Sequence, residues 1–157
     1  SMRMLFKQRV FSWFDSYDIY DESMNTLFTV KGQLSFGHHL NIYDRNGYNI
    51  GAVVQKVFAF MPKFELYFGG SYGGCVRKEL ALFKNNYVVD YNGWSVKGDI
   101  MGWDYSIFDI NGVRVASISK RLMNWSDTYS IDVDSPYNAL PTLMIVLAID
   151  AEKCSNN

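Results

Sequence analysis

Histidine, cysteine, proline and charge excess of either sign are all scarce in this 157-residue chain, and each shortage excludes a class of protein. The two cysteines, Cys75 and Cys154, offer no CxxC and no metal-ligand spacing. The two histidines are adjacent, His38 and His39. Neighbours on a strand point to opposite faces, so this pair could not share one metal ion. A net charge of −1 and a pI near 6.1 give no global attraction to nucleic acid. The longest stretch apolar on every side, Leu143 to Ile149, is far shorter than the roughly 20 residues of a bilayer-spanning helix. The N-terminal "SMRMLFKQRVFSWF" holds no continuous apolar core of signal-peptide length, so the "NWS" at 124–126 is set aside as a glycosylation sequon. The expectation is a reduced, cytoplasmic protein.

Aromatic side chains are abundant instead, at 17%, with frequent glycine and only three prolines. That mixture favours β structure, where aromatic and β-branched side chains pack on a pleated surface. With 48% hydrophobic and 20% charged residues, one folded domain spanning 1–157 is expected rather than a disordered chain.

Two stretches set the architecture. "NIYDRNG" at 41–47 and "SIFDING" at 106–112 share a turn signal. Upstream, "FTVKG" at 28–32 faces "WSVKG" at 94–98. Downstream, Phe64 and Leu66 face Tyr129 and Ile131 at equal distances from Gly47 and Gly112. A single shared Asn-Gly could arise by chance, but the same patterns in the same order indicate a duplication, with a first repeat over about 5–68 and a second over about 74–133. In "KFELYF" and "DTYSIDV" every second residue is apolar, the period of a half-buried strand. Asn46-Gly47, Asn111-Gly112 and the "GGSYGG" at 69–74 suit hairpin loops that need positive φ. Between these turns the pattern predicts twelve strands, at 5–11, 16–21, 26–32, 38–44, 49–58, 63–68, 74–83, 86–91, 94–99, 103–109, 113–121 and 127–133.

Twelve antiparallel strands need closure to remove exposed edges, and a barrel that wide must be filled. The C-terminal "SPYNALPTLMIVLAIDAEKC" supplies the filling: a helix apolar all round is a buried one. Ser135 and Pro136 form one cap and first position, with Asn138 as the rival cap. Pro141 would kink a helix begun at Pro136, so the regular part is expected over about 138–152. The fold class is therefore mainly β, a twelve-stranded antiparallel barrel with an internal pseudo-twofold repeat enclosing a hydrophobic C-terminal helix.

"FSWFDSYDIYDE" at 11–22, "FTVKGQLSFGHHLNIYD" at 28–44, "FDINGVRVASISK" at 108–120 and "LMIVLAIDAEKC" at 143–154 resemble the LURP-one-related family. That family lies within the tubby C-terminal-like superfamily, which also includes phospholipid scramblases. The resemblance covers nearly the whole chain and is strongest to the small single-domain bacterial members. It implies a tubby-like barrel around a central helix. Tubby proteins bind phosphoinositide headgroups and scramblases act at membranes, so it also implies a role at phospholipid surfaces.

No catalytic constellation accompanies this. Cys75 and Cys154 have no evident base beside them, and "GGSYGG" precedes a strand and lacks the Gly-Lys-Ser/Thr ending of a phosphate loop. Asp104, Asp109, Asp132 and Asp134 read as solvated strand ends. One feature points to a ligand: residues 55–84 carry Lys56, Lys63, Arg77, Lys78 and Lys84, five cations against Glu65 and Glu79, a local net of +3. Lys120 and Arg121 are the second-half counterparts of Gln55 and Lys56. Such groups near strand ends could engage anionic headgroups. The N-terminal "RMLFKQRVFSWF" also admits a reading as an interfacial helix, though the repeat favours a strand there. The expected function is a non-enzymatic module binding anionic membrane phospholipid, without cofactor, metal or nucleic acid. The alternative is a protein-interaction or scaffold domain with an unidentified protein partner and no small-molecule ligand. Localisation would be cytoplasmic, or peripheral at the membrane.

Overall fold

A computed structural model of the chain describes residues 1–7, 16–79, 86–123 and 126–155. Its elements are β1 (Met2–Lys7), β2 (Ser16–Tyr20), β3 (Thr26–Gly32), β4 (His39–Asp44), β5 (Asn49–Lys56), β6 (Lys63–Phe68), β7 (Ser71–Lys78), β8 (Tyr87–Asp90), β9 (Ser95–Asp99), β10 (Asp104–Phe108), β11 (Arg114–Met123) and β12 (Ser126–Val133). A 3₁₀ turn, Pro136–Asn138, then leads into α1 (Ala139–Ser155). Every paired strand is antiparallel to its chain neighbour, and β1 also pairs with β12. The sheet therefore curls into a nearly closed ring, open only between β8 and β9, which share no ladder.

The ring order is unchanged by a shift of six strands. The pairing register repeats as well. Gly51↔Phe68, Val53↔Leu66 and Gln55↔Phe64 between β5 and β6 recur 65 residues later as Ala116↔Val133, Ile118↔Ile131 and Lys120↔Tyr129 between β11 and β12. Even the irregularities correspond: the β4–β5 ladder shifts at Ile42/Tyr43 and the β10–β11 ladder at Ile107/Phe108.

The turns after those shifts correct the expectation for Asn-Gly. Only the glycines take positive φ, 86° at Gly47 and 79° at Gly112. The Gly47 N–H donates to the Asp44 carbonyl at 3.0 Å, closing a four-residue turn with glycine in the left-handed position, and Gly112 repeats this with Asp109. What fixes the loop is the aspartate: Asp44 Oδ1 accepts from the backbone of Asn46 and Tyr48, and Asp109 Oδ1 from Asn111 and Val113, all at 2.9–3.0 Å. The "GGSYGG" expectation is corrected too. The strand resumes at Ser71, so the turn is only Gly69-Gly70, both at positive φ. At the N-terminus, Met2–Lys7 is a strand paired with β12 and not an interfacial helix. Residues 8–14 of that segment lie outside the described ones.

Along each strand alternate residues enter the barrel. Met4, Phe6, Ile19, Val30, Leu40, Ile42, Val53, Phe64, Leu66, Ile107, Ile118 and Ile131 are all essentially inaccessible. They surround α1, where every residue from Pro141 to Lys153 is buried. Gly51 lets β5 approach that helix: a Cβ there would sit 3.4 Å from Met144 Sδ and 3.2 Å from the Tyr67 carbonyl. Ser135 caps the 3₁₀ turn by accepting from the Tyr137 N–H. Pro141 is the third residue of α1, where an N–H has no intrahelical acceptor in any helix, so the ring costs no hydrogen bond and forces no kink.

Candidate functional site

Odd-numbered strands hand over to even-numbered ones at one end of the barrel, and even to odd at the other. The two ends differ in chemistry. At the even-to-odd end the turns are built on aspartates, Asp21, Asp44 and Asp109, each accepting backbone N–H groups, and Asp134 accepts from Asn138 there. At the odd-to-even end lie the last residues of β5, β7 and β11 and the first of β6, which carry the basic candidates.

The structure divides those candidates. Lys56, Lys63 and Arg77 form a cross-strand row, with Lys56↔Lys63 and Lys63↔Arg77 as register partners facing outward. Glu65 stands beside this row: its carboxylate is 3.3 Å from Lys56 Nζ and 3.8 Å from Lys63 Nζ. It also accepts a 2.8 Å hydrogen bond from the Tyr67 hydroxyl, which raises the Tyr67 pKa. Lys120 and Arg121 sit at the same end but on β11, six strands round the ring, so they are not part of that row. Both are exposed. Lys84 lies outside the described residues.

Lys78 has a different task. It shares the inward side of β7 with the buried Val76, and its Nζ is 3.5 Å from the carboxylate of Glu152, deep in the mouth of the barrel. Tyr87, opening β8, donates its hydroxyl to the same carboxylate, and burial, helped by this bond, drives the Tyr87 pKa up. Beside it Lys153 donates to the Ile100 carbonyl and stands 3.7 Å above the Trp103 ring. Burial pushes the Lys153 pKa down to about 8, against the attraction of Asp150. Asp150, Glu152 and Lys153 are all buried. This cluster lies at the C-terminal end of α1, whose negative dipole end attracts cations. Lys78 and Lys153 thus serve the helix and its acids, and an anionic ligand inside this mouth would meet Asp150, Glu152 and the helix end.

Sequence reasoning missed this cluster. Its signal was the run "DAEKC" directly after residues apolar on all sides: a helix buried through Ala151 carries its next residues inside too.

The other candidates are structural. His38 is buried near the Phe64 ring, centroids 6.4 Å apart, whereas His39 faces the outer wall beside a shallow groove of about 400 Å³. The positions 65 residues on, Trp103 and Tyr129, pack at 4.3 Å, so the His38 slot is an aromatic one in both halves. Cys75 is a buried free thiol, and the Cys154 side chain is not among the described residues. Asp132 pairs with Arg3 Nε at 2.7 Å, and Asp104 is an exposed strand start paired across the ladder with Asp99. Among the described residues no three His, Cys, Asp or Glu side chains converge as metal ligands, and no helix is long and apolar enough to cross a membrane.

The sequence profile of the LURP-one-related family matches residues 2–150. The chain belongs to the LURP-one-related family. This LURP-one-related chain is 27% identical over 150 residues to the uncharacterized protein YxjI of Bacillus subtilis strain 168, covering 95% of this chain and 92% of that protein. Its fold is that of an X-ray structure of an Arabidopsis thaliana protein, with a TM-score of 0.62 at 16% identity, covering 99% of this chain and 91% of that one. At that identity the likeness concerns the fold alone, a barrel of this topology around a central helix.

Proposed function

We propose that this LURP-one-related domain is a non-enzymatic module that docks on anionic phospholipid at a membrane surface with the odd-to-even end of its barrel. The observation that supports it is the placement of Lys56, Lys63, Arg77, Lys120 and Arg121 at that end, with the aspartate-built turns at the other. An anionic surface attracts the first end and repels the second, so the field fixes an orientation even though the net charge is −1. Lys78 is not one of the docking groups, because it points from the inward side of β7 to the buried carboxylate of Glu152, whereas Lys56 and Lys63 stand on the outer wall.

The test is sedimentation with phosphatidylcholine vesicles, with and without phosphatidylserine or a phosphoinositide. The parent binds the anionic vesicles and releases as salt rises, since exposed charges are screened beyond about 10 Å at 0.1 M. Arg77→Glu with Arg121→Glu abolishes that binding while leaving thermal unfolding unchanged. Equal pelleting of parent and variant, or no pelleting at low salt, rejects the reading, and the latter outcome favours a protein-interaction domain.

A further inference from the structure

Charge alone makes a weak anchor, and the same end of the barrel carries a second kind of group. The β3–β4 loop presents Leu34 and Phe36 at 82% and 83% exposure, and the β5–β6 loop presents Phe58 and Phe60 at 92% and 93%. These are large apolar side chains that fold stability does not explain, since they bury almost nothing. The loops bearing them are neighbours. Gln55 locks them together, its side chain accepting the His38 N–H at 2.9 Å and its own N–H reaching the His38 carbonyl at 2.8 Å. Gly37 sits so close to Val57 that a Cβ would come within 2.5 Å of its Cγ1. Lys56 and Lys63 stand directly at the base of the β5–β6 loop.

We propose that these two loops form a wedge that inserts into the interfacial layer of a lipid bilayer, with Phe58 and Phe60 leading and Leu34 and Phe36 beside them. This rests on the docking reading above and specifies how the domain holds on. Two observations favour a bilayer over a protein partner. The side chains are separate projections on loop tips, whereas a protein interface core needs close shape complementarity. They are also flanked by Lys56 and Lys63 at the base of the β5–β6 loop, the amphipathic arrangement of groups that lie in a membrane interface. Apolar groups are exposed at the other end as well, including Met24, Tyr48 and Ile110. Those stand beside the Asp21, Asp44 and Asp109 turns, which an anionic surface repels.

The experiment compares the full chain with Phe58→Ser/Phe60→Ser and with Leu34→Ser/Phe36→Ser on phosphatidylcholine–phosphatidylserine vesicles at low and high salt. Unfolding curves and sedimentation velocity are recorded for each. The parent keeps a salt-resistant bound fraction. The Phe58/Phe60 variant binds at least about tenfold more weakly, the residue is fully salt-sensitive, and its unfolding is unchanged. A variant that binds like the parent with the same salt dependence overturns insertion and leaves headgroup docking standing. A parent that binds no vesicle overturns both. A parent that self-associates, with a monomeric serine variant and equal vesicle binding, overturns insertion and assigns the tips to a second copy of the chain.

Discussion

Lys78 Nζ lies 3.5 Å from the carboxylate of Glu152, joining a β7 strand end to the last turns of the central helix. Glu152 is almost wholly buried, and Tyr87 donates to it from the other side. Removing the lysine deprives a buried carboxylate of its cation, whereas removing both charges leaves no buried charge there but takes the acceptor from the Tyr87 hydroxyl. Lys78→Met should therefore cost about 1–3 kcal/mol, below the range for fully buried pairs because Lys78 is partly exposed. Lys78→Met/Glu152→Met should recover part of that loss, the remainder being the Tyr87 hydroxyl left without its acceptor. Urea unfolding of the two variants and the parent checks it: equal losses in single and double variants would deny the coupling.

Met24 occupies the place that glycine holds in the two corresponding turns. The Asp21–Asn25 segment has the same closure, with the Met24 N–H donating to the Asp21 carbonyl and Asp21 Oδ1 accepting from Ser23 and Asn25. Its φ is 66°, where a Cβ costs roughly 1–2 kcal/mol. The side chain is exposed, so replacing it loses little packing. Met24→Gly should raise stability by about 0.5–1 kcal/mol after the greater freedom of glycine in the unfolded chain is subtracted. Gly112→Ala, the reverse change in the equivalent turn, should lower it by about 1 kcal/mol. Midpoints of thermal unfolding report both signs.

Lys153 gives stability a distinctive alkaline limb. Its folded pKa is about 8 against an ordinary 10.5, so the folded state sheds the proton first. Below pH 8 both states are protonated and the cost of the buried charge is complete. Above that, the unfolded chain binds more protons, and stability rises with pH. Tyr87 and Tyr105 act in the opposite sense. Their pKa values are raised by burial, so stability falls once unfolded tyrosines ionise near 10. Stability should climb from about pH 8 to 10 and then decline. Lys153→Met should flatten the climb and leave the decline, as read by denaturant midpoints across that range.

The barrel was legible because strand period, turn glycines and repeat spacing are local signals that agree with each other. Residues Ile42, Gly47 and Phe64 announce a strand, a turn and a strand without knowledge of the partner strand. The site was harder. Lys56, Lys63, Arg77 and Lys78 look alike in sequence, yet alternation along β7 turns Arg77 outward and Lys78 inward to Glu152. That assignment depends on where a helix seventy residues later ends. The apolar tips were also hidden: Phe58 was expected as the end of a strand, and only the stop at Lys56 leaves it in the loop.

The central helix is core rather than an appendage, and this decides how the protein tolerates its loss. Leu143, Met144, Ile145, Val146, Leu147 and Ile149 are completely inaccessible, on every side of α1. Each contributes roughly 1.5–3 kcal/mol by leaving water, so the six together contribute about 9 kcal/mol even at the low end. That is comparable with the whole net stability of a typical domain, about 5–15 kcal/mol. The inward faces of all the paired strands would lose their partner too. A chain ending at Asp134 should thus be insoluble or unfolded, not a barrel lacking a tail. Val146→Asp should be nearly as damaging, because an unpaired carboxylate would enter an apolar lumen. A membrane anchor or partner-binding tail would behave in the opposite way, leaving a truncated protein folded and more soluble. Thermal unfolding distinguishes them: a cooperative transition in the truncated chain within a few degrees of the full-length one would show that the barrel does not need its helix.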